Sequence, residues 1–173
     1  MKYNLVALFD NDSNKLIDFN YRHISKRNKN IHHIPLHIVL ETIDDPDINK
    51  LNDLISKILR PYKKFKVHLD TIYTLSSNNR NQYIGVEERG YINGLVRNLN
   101  EDLKLSGFKV KDIESTEELF IPLSQNLSKN FSSKSNLSQT SIDSFAKIEK
   151  VELWKIVGNK KYSVVHTYNL REF

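Results

Sequence analysis

The feature that most restricts the fold is a strand–helix–strand succession between Leu36 and Leu75. In "LHIVLET" the apolar residues Leu36, Ile38 and Leu40 fall on one face and His37 and Val39 on the other, the period of a half-buried strand. After "DDP", Asp45 is placed to cap a helix and Pro46 to occupy its first position. Ile48, Leu51, Leu54, Ile55, Ile58 and Leu59 then repeat at helical spacing as far as "RPY". "KFKVHLDTIYTL" is again a strand. Two alternating strands and one striped helix must bury their apolar faces on one another in layers, and the full order β-α-β-α-β-β-α-β-(loop)-β-β, with long strands and few glycines, points to an α+β domain.

The remaining chain extends the pattern. "YNLVALF" is an opening strand, and Asn11–Arg27 reads as a helix with Leu16, Ile17, Phe19 and Ile24 available for burial. "SSNNRN" turns the Lys64–Leu75 strand into "QYIGVEE", a hairpin. Gly90 opens a helix striped by Ile92, Leu95, Val96, Leu99 and Leu103 and closed at Gly107. "ELFIPLS" is strand-like, and "KIEKVELWKIV" and "YSVVHTYNL" flank the turn "GNKK". Between them, residues 124–144 are rich in Ser, Asn, Gln and Lys, which predicts a surface loop with a short helix near "TSIDSFAKI". The chain is read as one domain over residues 1–173 with that loop as an excursion. At 173 residues it can bury roughly 70% of its unfolded surface.

Composition excludes several chemistries. With no cysteine there can be no disulfide, thiolate metal site or cysteine nucleophile. No apolar run approaches the roughly 18 residues of a membrane span. The apolar run before Asp10 is too short for a secretory signal, so the expected location is the cytoplasm. A net charge of +5 gives a modest preference for anionic partners. The scattered glycines form no phosphate-binding loop.

Taken together, "LVALF", "LHIVLE", the helix from Asp45, "KKFKVHL", the helix ending "LKLSGF" and the closing "VELWK…YNLREF" resemble a two-histidine (2H) phosphoesterase. That family includes 2′-5′ RNA ligase-like proteins and cyclic phosphodiesterases. The resemblance covers most of the chain in order, apart from the serine-rich stretch. It implies two pseudo-symmetric β-α-β lobes with antiparallel sheets around a central cleft and helices on the outer faces. It also implies two motifs, each a histidine, any residue, Thr or Ser, and an apolar residue. On a strand the histidine and hydroxyl share a face. Two imidazoles can then serve as general base and acid on one phosphate while the hydroxyls hold its oxygens. Neither a metal nor a cofactor is required.

This sequence departs from that pattern. The first motif is His37-Ile38-Val39-Leu40, which has the histidine without the hydroxyl. The second falls on "LFIPL", with Phe120 at the histidine position and Pro122 at the hydroxyl position. Ser124 could restore a hydroxyl but not a base. Losing one acid–base group typically costs about 10²–10⁴ in rate.

Other groupings are less specific. His32, His33 and His37 suggest a metal site, but His33 and His37 would lie about 13 Å apart on an extended strand, and no carboxylate pair completes the set. "RPYKKFKVH" could stack Tyr62 or Phe65 on bases and direct lysines at phosphates. The preferred reading is a basic helix end followed by a lysine-protected edge strand. Trp154, with Tyr162 and Tyr168 on the next strand, is a candidate stacking surface. His166-Thr167 lacks the motif's parity.

The reading is a catalytically degenerate phosphoesterase-like protein that binds an RNA end, cyclic nucleotide or other phosphorylated ligand. His37 is the remaining acid–base residue. Val39, Phe120, Pro122, Ser124, Trp154 and Tyr168 line the site with it, and no membrane is involved. One alternative is an active metal-independent phosphodiesterase or RNA-end-processing enzyme using His37 and a second group. The other is a protein-interaction module with a vestigial cleft.

Overall fold

The computed structural model describes residues 1–21, 34–75, 82–110, 119–123, 137–158 and 161–172. In chain order these form β1 (Lys2–Phe9), α1 (Asn11–Tyr21), β2 (His37–Asp44), α2 (Ile48–Leu59), β3 (Phe65–Leu75), β4 (Gln82–Val86) and α3 (Tyr91–Leu105). They continue with β5 (Lys109–Val110), β6 (Phe120–Pro122), β7 (Leu137–Ile156) and β8 (Tyr162–Asn169).

The eight strands form one sheet in the order β5-β2-β1-β7-β3-β4-β6, with β8 also on β7. Every pairing between these strands is antiparallel. The long β7 joins two lobes: its second half pairs with β1 and β8, and its first half with β3. The sheet curls, so that β2 and β6, near opposite ends of the order, pack against each other.

The helices pack on one face. Leu51, Ile55, Ile58 and Leu59 of α2 and Ile92, Leu95, Leu99 and Leu103 of α3 join Leu5, Ile38, Leu40, Leu69, Ile84, Ile121 and Leu153 in a single core. The opposite, open face carries a small second cluster of Val6, Leu8, Ile34 and Trp154. Strand alternation therefore sorts each strand between a helix-bearing face and an open face.

Some local expectations are corrected. The α2 cap is Asp47, whose carboxylate accepts from the Lys50 N–H at 3.3 Å. Asp45 instead has a positive φ of 44° and pairs with the terminal ammonium at 2.5 Å. Of the α1 residues expected in the core, Ile17 is buried, whereas Leu16 and Phe19 are exposed. Ile24 lies outside the described residues. Gly90 and Gly107 bracket α3 as expected, with φ of 70° and 85°.

The largest departure is residues 137–144, read as loop or helix but here the first part of β7. They pair with Leu69–Leu75 of β3, and their polar composition follows from position. Residues 138–144 are exposed or half-buried, so the ladder holds this strand without needing apolar alternation. The rest of the serine-rich segment, 124–136, lies outside the described residues.

Candidate ligand-binding site

The registers of β1, β2, β7 and β8 order the open face of the first lobe into rows. One row is His37, Leu8, Lys150 and Asn169; the next is Val39, Val6, Glu152 and Thr167. Alternation places these side chains opposite the helix-bearing face, because Ile38, Ala7 and Val151 point into the helical core.

His37 is 3% exposed. Its Nδ1 lies 2.7 Å from the Pro35 carbonyl. A carbonyl only accepts, so Nδ1 carries the hydrogen in this contact. The imidazole also packs at 4.8 Å and 56° on the Trp154 indole. Val39 is half-buried against the Val6, Leu8, Ile34 and Trp154 cluster, a contact that a hydroxyl would make poorly.

Trp154 is completely buried, so it cannot stack on a ligand directly. Tyr162 covers it, with ring centroids 4.0 Å apart at 21°. The indole Nε1–H donates to Glu152 Oε1 at 3.1 Å, and the Thr167 hydroxyl donates to Glu152 Oε2 at 3.1 Å. Two donors let a carboxylate remain in a buried position that would otherwise penalise it. Sequence reading placed Glu152 and Trp154 on one face, but gave Glu152 no role. The missed signal is a charged residue alternating with Trp154 on a strand flanked by apolar positions.

The second lobe supplies Phe120 and Pro122 on β6, paired with Gly85 and Tyr83 of β4. Ile121 enters the helical core, so Phe120 and Pro122 face the open side. Phe120 packs edge-on against Tyr83, at 5.1 Å and 87°. Ser124 lies outside the described residues.

Tyr168 is not brought together with the others. It pairs with Val151, joins the helical core and donates its hydroxyl to Asn52 of α2. Burial pushes its phenol well above the ordinary tyrosine range. His166 pairs with Leu153 and Thr167 with Glu152, so this histidine and hydroxyl take opposite faces, as their adjacency requires.

A separate polar cluster occupies the open face of the second lobe. His68 of β3 contacts Glu87 through Nδ1 at 2.7 Å and Asp143 through Nε2 at 2.6 Å. The Asp143 hydrogen bond, assisted by Glu87 and opposed by partial burial, raises the imidazole above its usual pKa. Arg89 also bonds Glu87, at 2.7 Å. With both nitrogens engaged, His68 is an ion-pair clamp rather than a poised base.

The "RPYKKF" segment lies elsewhere. Tyr62, Lys63, Lys64 and Phe65 line a cavity of about 520 Å³ with Tyr91, Asn98 and Asp102, on the helix-bearing side. Phe65 is buried, and Lys64 pairs with Glu172 and, at 3.8 Å, Glu149. β3 lies between β7 and β4, so the expected edge strand is interior. His32 and His33 lie outside the described residues, among which no group of three His, Asp or Glu side chains could hold a metal. No described helix is long and apolar enough to cross a membrane.

No family model matches the chain, and no curated protein matches it in sequence. Its fold nevertheless matches solved structures over nearly its whole length. E. coli LigT complexed with 3′-AMP aligns with a TM-score of 0.61 at 16% identity, covering 98% of this chain and 97% of LigT. TT0787 of Thermus thermophilus gives 0.60 at 13% identity, with 99% of each chain covered. A phosphoesterase gives 0.60 at 14%, covering 99% and 98%. LigT has also been solved with ATP and with NADP⁺. At these identities the shared property is the fold.

Proposed function

We propose that this protein is a catalytically degenerate 2H phosphoesterase-like protein that binds a phosphorylated ligand, an RNA end or a nucleotide, between its two lobes. The observation that carries the reading is the contrast between two strands that pack together. β2 presents His37 with its tautomer set by the Pro35 carbonyl, and β6, which packs against it, carries Phe120, the residue that the sequence resemblance matches to the family's second histidine. A single imidazole can donate to a phosphate oxygen or take one proton, but cannot serve as base and acid on opposite sides of one phosphorus. Val39 and Pro122 add no hydroxyl. The similarity of fold to LigT, solved with 3′-AMP, ATP and NADP⁺, favours nucleotide-type ligands.

The test is thermal. A ligand at 100 times its dissociation constant adds about 2.7 kcal/mol of stability. A panel of 3′-AMP, ATP, 2′,3′-cyclic nucleotides and short RNAs should contain at least one compound that raises Tm in the wild type and fails to do so in His37→Ala. A panel in which nothing shifts Tm would refute the reading and favour a surface interaction module. Turnover of a cyclic nucleotide that His37→Ala abolishes would favour an active enzyme.

A further inference from the structure

His37 and Lys150 both pair with Leu8, His37 across β2–β1 and Lys150 across β1–β7, so the three side chains form one row on the open face. The backbones of His37 and Lys150 are two strand spacings apart, about 10 Å. Leu8, only 5% exposed, floors the gap between them. Lys150 is half-buried and, among the described residues, has no carboxylate partner. Lys64, in contrast, is held by Glu172 and Glu149. Glu152, two residues along the same face of β7, spends its carboxylate on Trp154 and Thr167, which leaves the Lys150 ammonium to an anion from solution.

We propose that Lys150 is the second phosphate-gripping group of this site, opposing His37 from β7 in place of the group missing from β6. The inference rests on the reading of the His37 face as a ligand site. An ammonium at neutral pH donates hydrogen bonds but does not accept a proton, so Lys150 restores charge without restoring acid–base chemistry. A positive charge at Lys150 attracts a phosphate monoester dianion more strongly than a cyclic diester, which carries one negative charge. The ligand class is therefore a terminal phosphate monoester, the product-like form of a phosphodiesterase substrate.

Calorimetric titration with 3′-AMP, 2′,3′-cyclic AMP, inorganic phosphate and adenosine tests this in the wild type, Lys150→Met, Lys150→Arg and His37→Gln. The wild type is expected to bind 3′-AMP more tightly than the cyclic ester, and the cyclic ester more tightly than adenosine. Lys150→Met should weaken 3′-AMP at least about tenfold and leave adenosine unchanged, while Lys150→Arg retains most of the affinity. The arginine rescue separates loss of charge from loss of folding. If His37→Gln weakens 3′-AMP and Lys150→Met does not, the ligand site stands and the role of Lys150 is overturned. If the wild type binds none of the four probes, both fall.

Discussion

The two lobes use the same strand geometry for opposite purposes. On the open face of the first, polar groups are buried and satisfied: His37 on the Pro35 carbonyl, and Glu152 between Trp154 and Thr167. In the second, the strand facing β2 carries an aromatic edge contact, Phe120 on Tyr83. Its ionisable cluster, His68 with Glu87 and Asp143, is drawn into ion pairs. The open face of the first lobe thus holds a buried imidazole, while the strand that faces β2 from the second lobe presents an aromatic ring and a proline. The first lobe's order depends on polar satisfaction, the second's on aromatic contact and surface charge.

Mutation should expose that asymmetry. Trp154→Ala removes a fully buried ring and leaves Glu152 short of a donor, with an expected loss of about 3–5 kcal/mol in urea unfolding. Phe120→Ala, at a half-buried position, should cost only about 1–2 kcal/mol. Equal losses would erase the contrast. Glu152→Gln keeps the shape but loses the charge that two donors satisfy, so a destabilisation of about 1–3 kcal/mol is expected. A neutral result would show that the carboxylate is not structurally required.

Smaller effects refine the comparison. Tyr168→Phe should cost about 0.5–1.5 kcal/mol through the lost Asn52 contact and leave ligand affinity unchanged, because Tyr168 lies on the helix-bearing face. A loss of affinity would return it to the site. His68 gives a pH signal. Its folded pKa lies above the unfolded value, so its contribution is complete below the ordinary histidine range and is lost as pH rises through the folded value. The wild type should lose stability across that window relative to His68→Gln. Parallel pH profiles would remove the clamp.

Periodicity made much of the fold legible. The stripes of α2 and α3 and the alternation of β2 each identify a buried face, and Gly90 and Gly107 mark where α3 begins and ends. The start of β7 was not legible, because an exposed strand has no apolar period, and serine-rich composition reads as loop when the partner strand is unknown. Strand parity separates His37 from the apolar face of β2, whereas Phe120 as a candidate rests on the family resemblance. Register could not: only the pairing across Leu8 puts Lys150 in the row of His37, and only the fold separates Tyr168 from Trp154. The double carboxylate on His68 joins residues of β3, β7 and the segment after β4, a meeting with no local trace in the sequence.

If the His37 face holds a phosphate without turning it over, as proposed, phosphorus NMR of 2′,3′-cyclic AMP mixed with the protein tests both parts at once. The expected result is a broadened or displaced cyclic-ester resonance that His37→Ala restores to its free position, with no monoester signal after prolonged incubation. A monoester signal that grows with time and disappears in His37→Ala would contradict it.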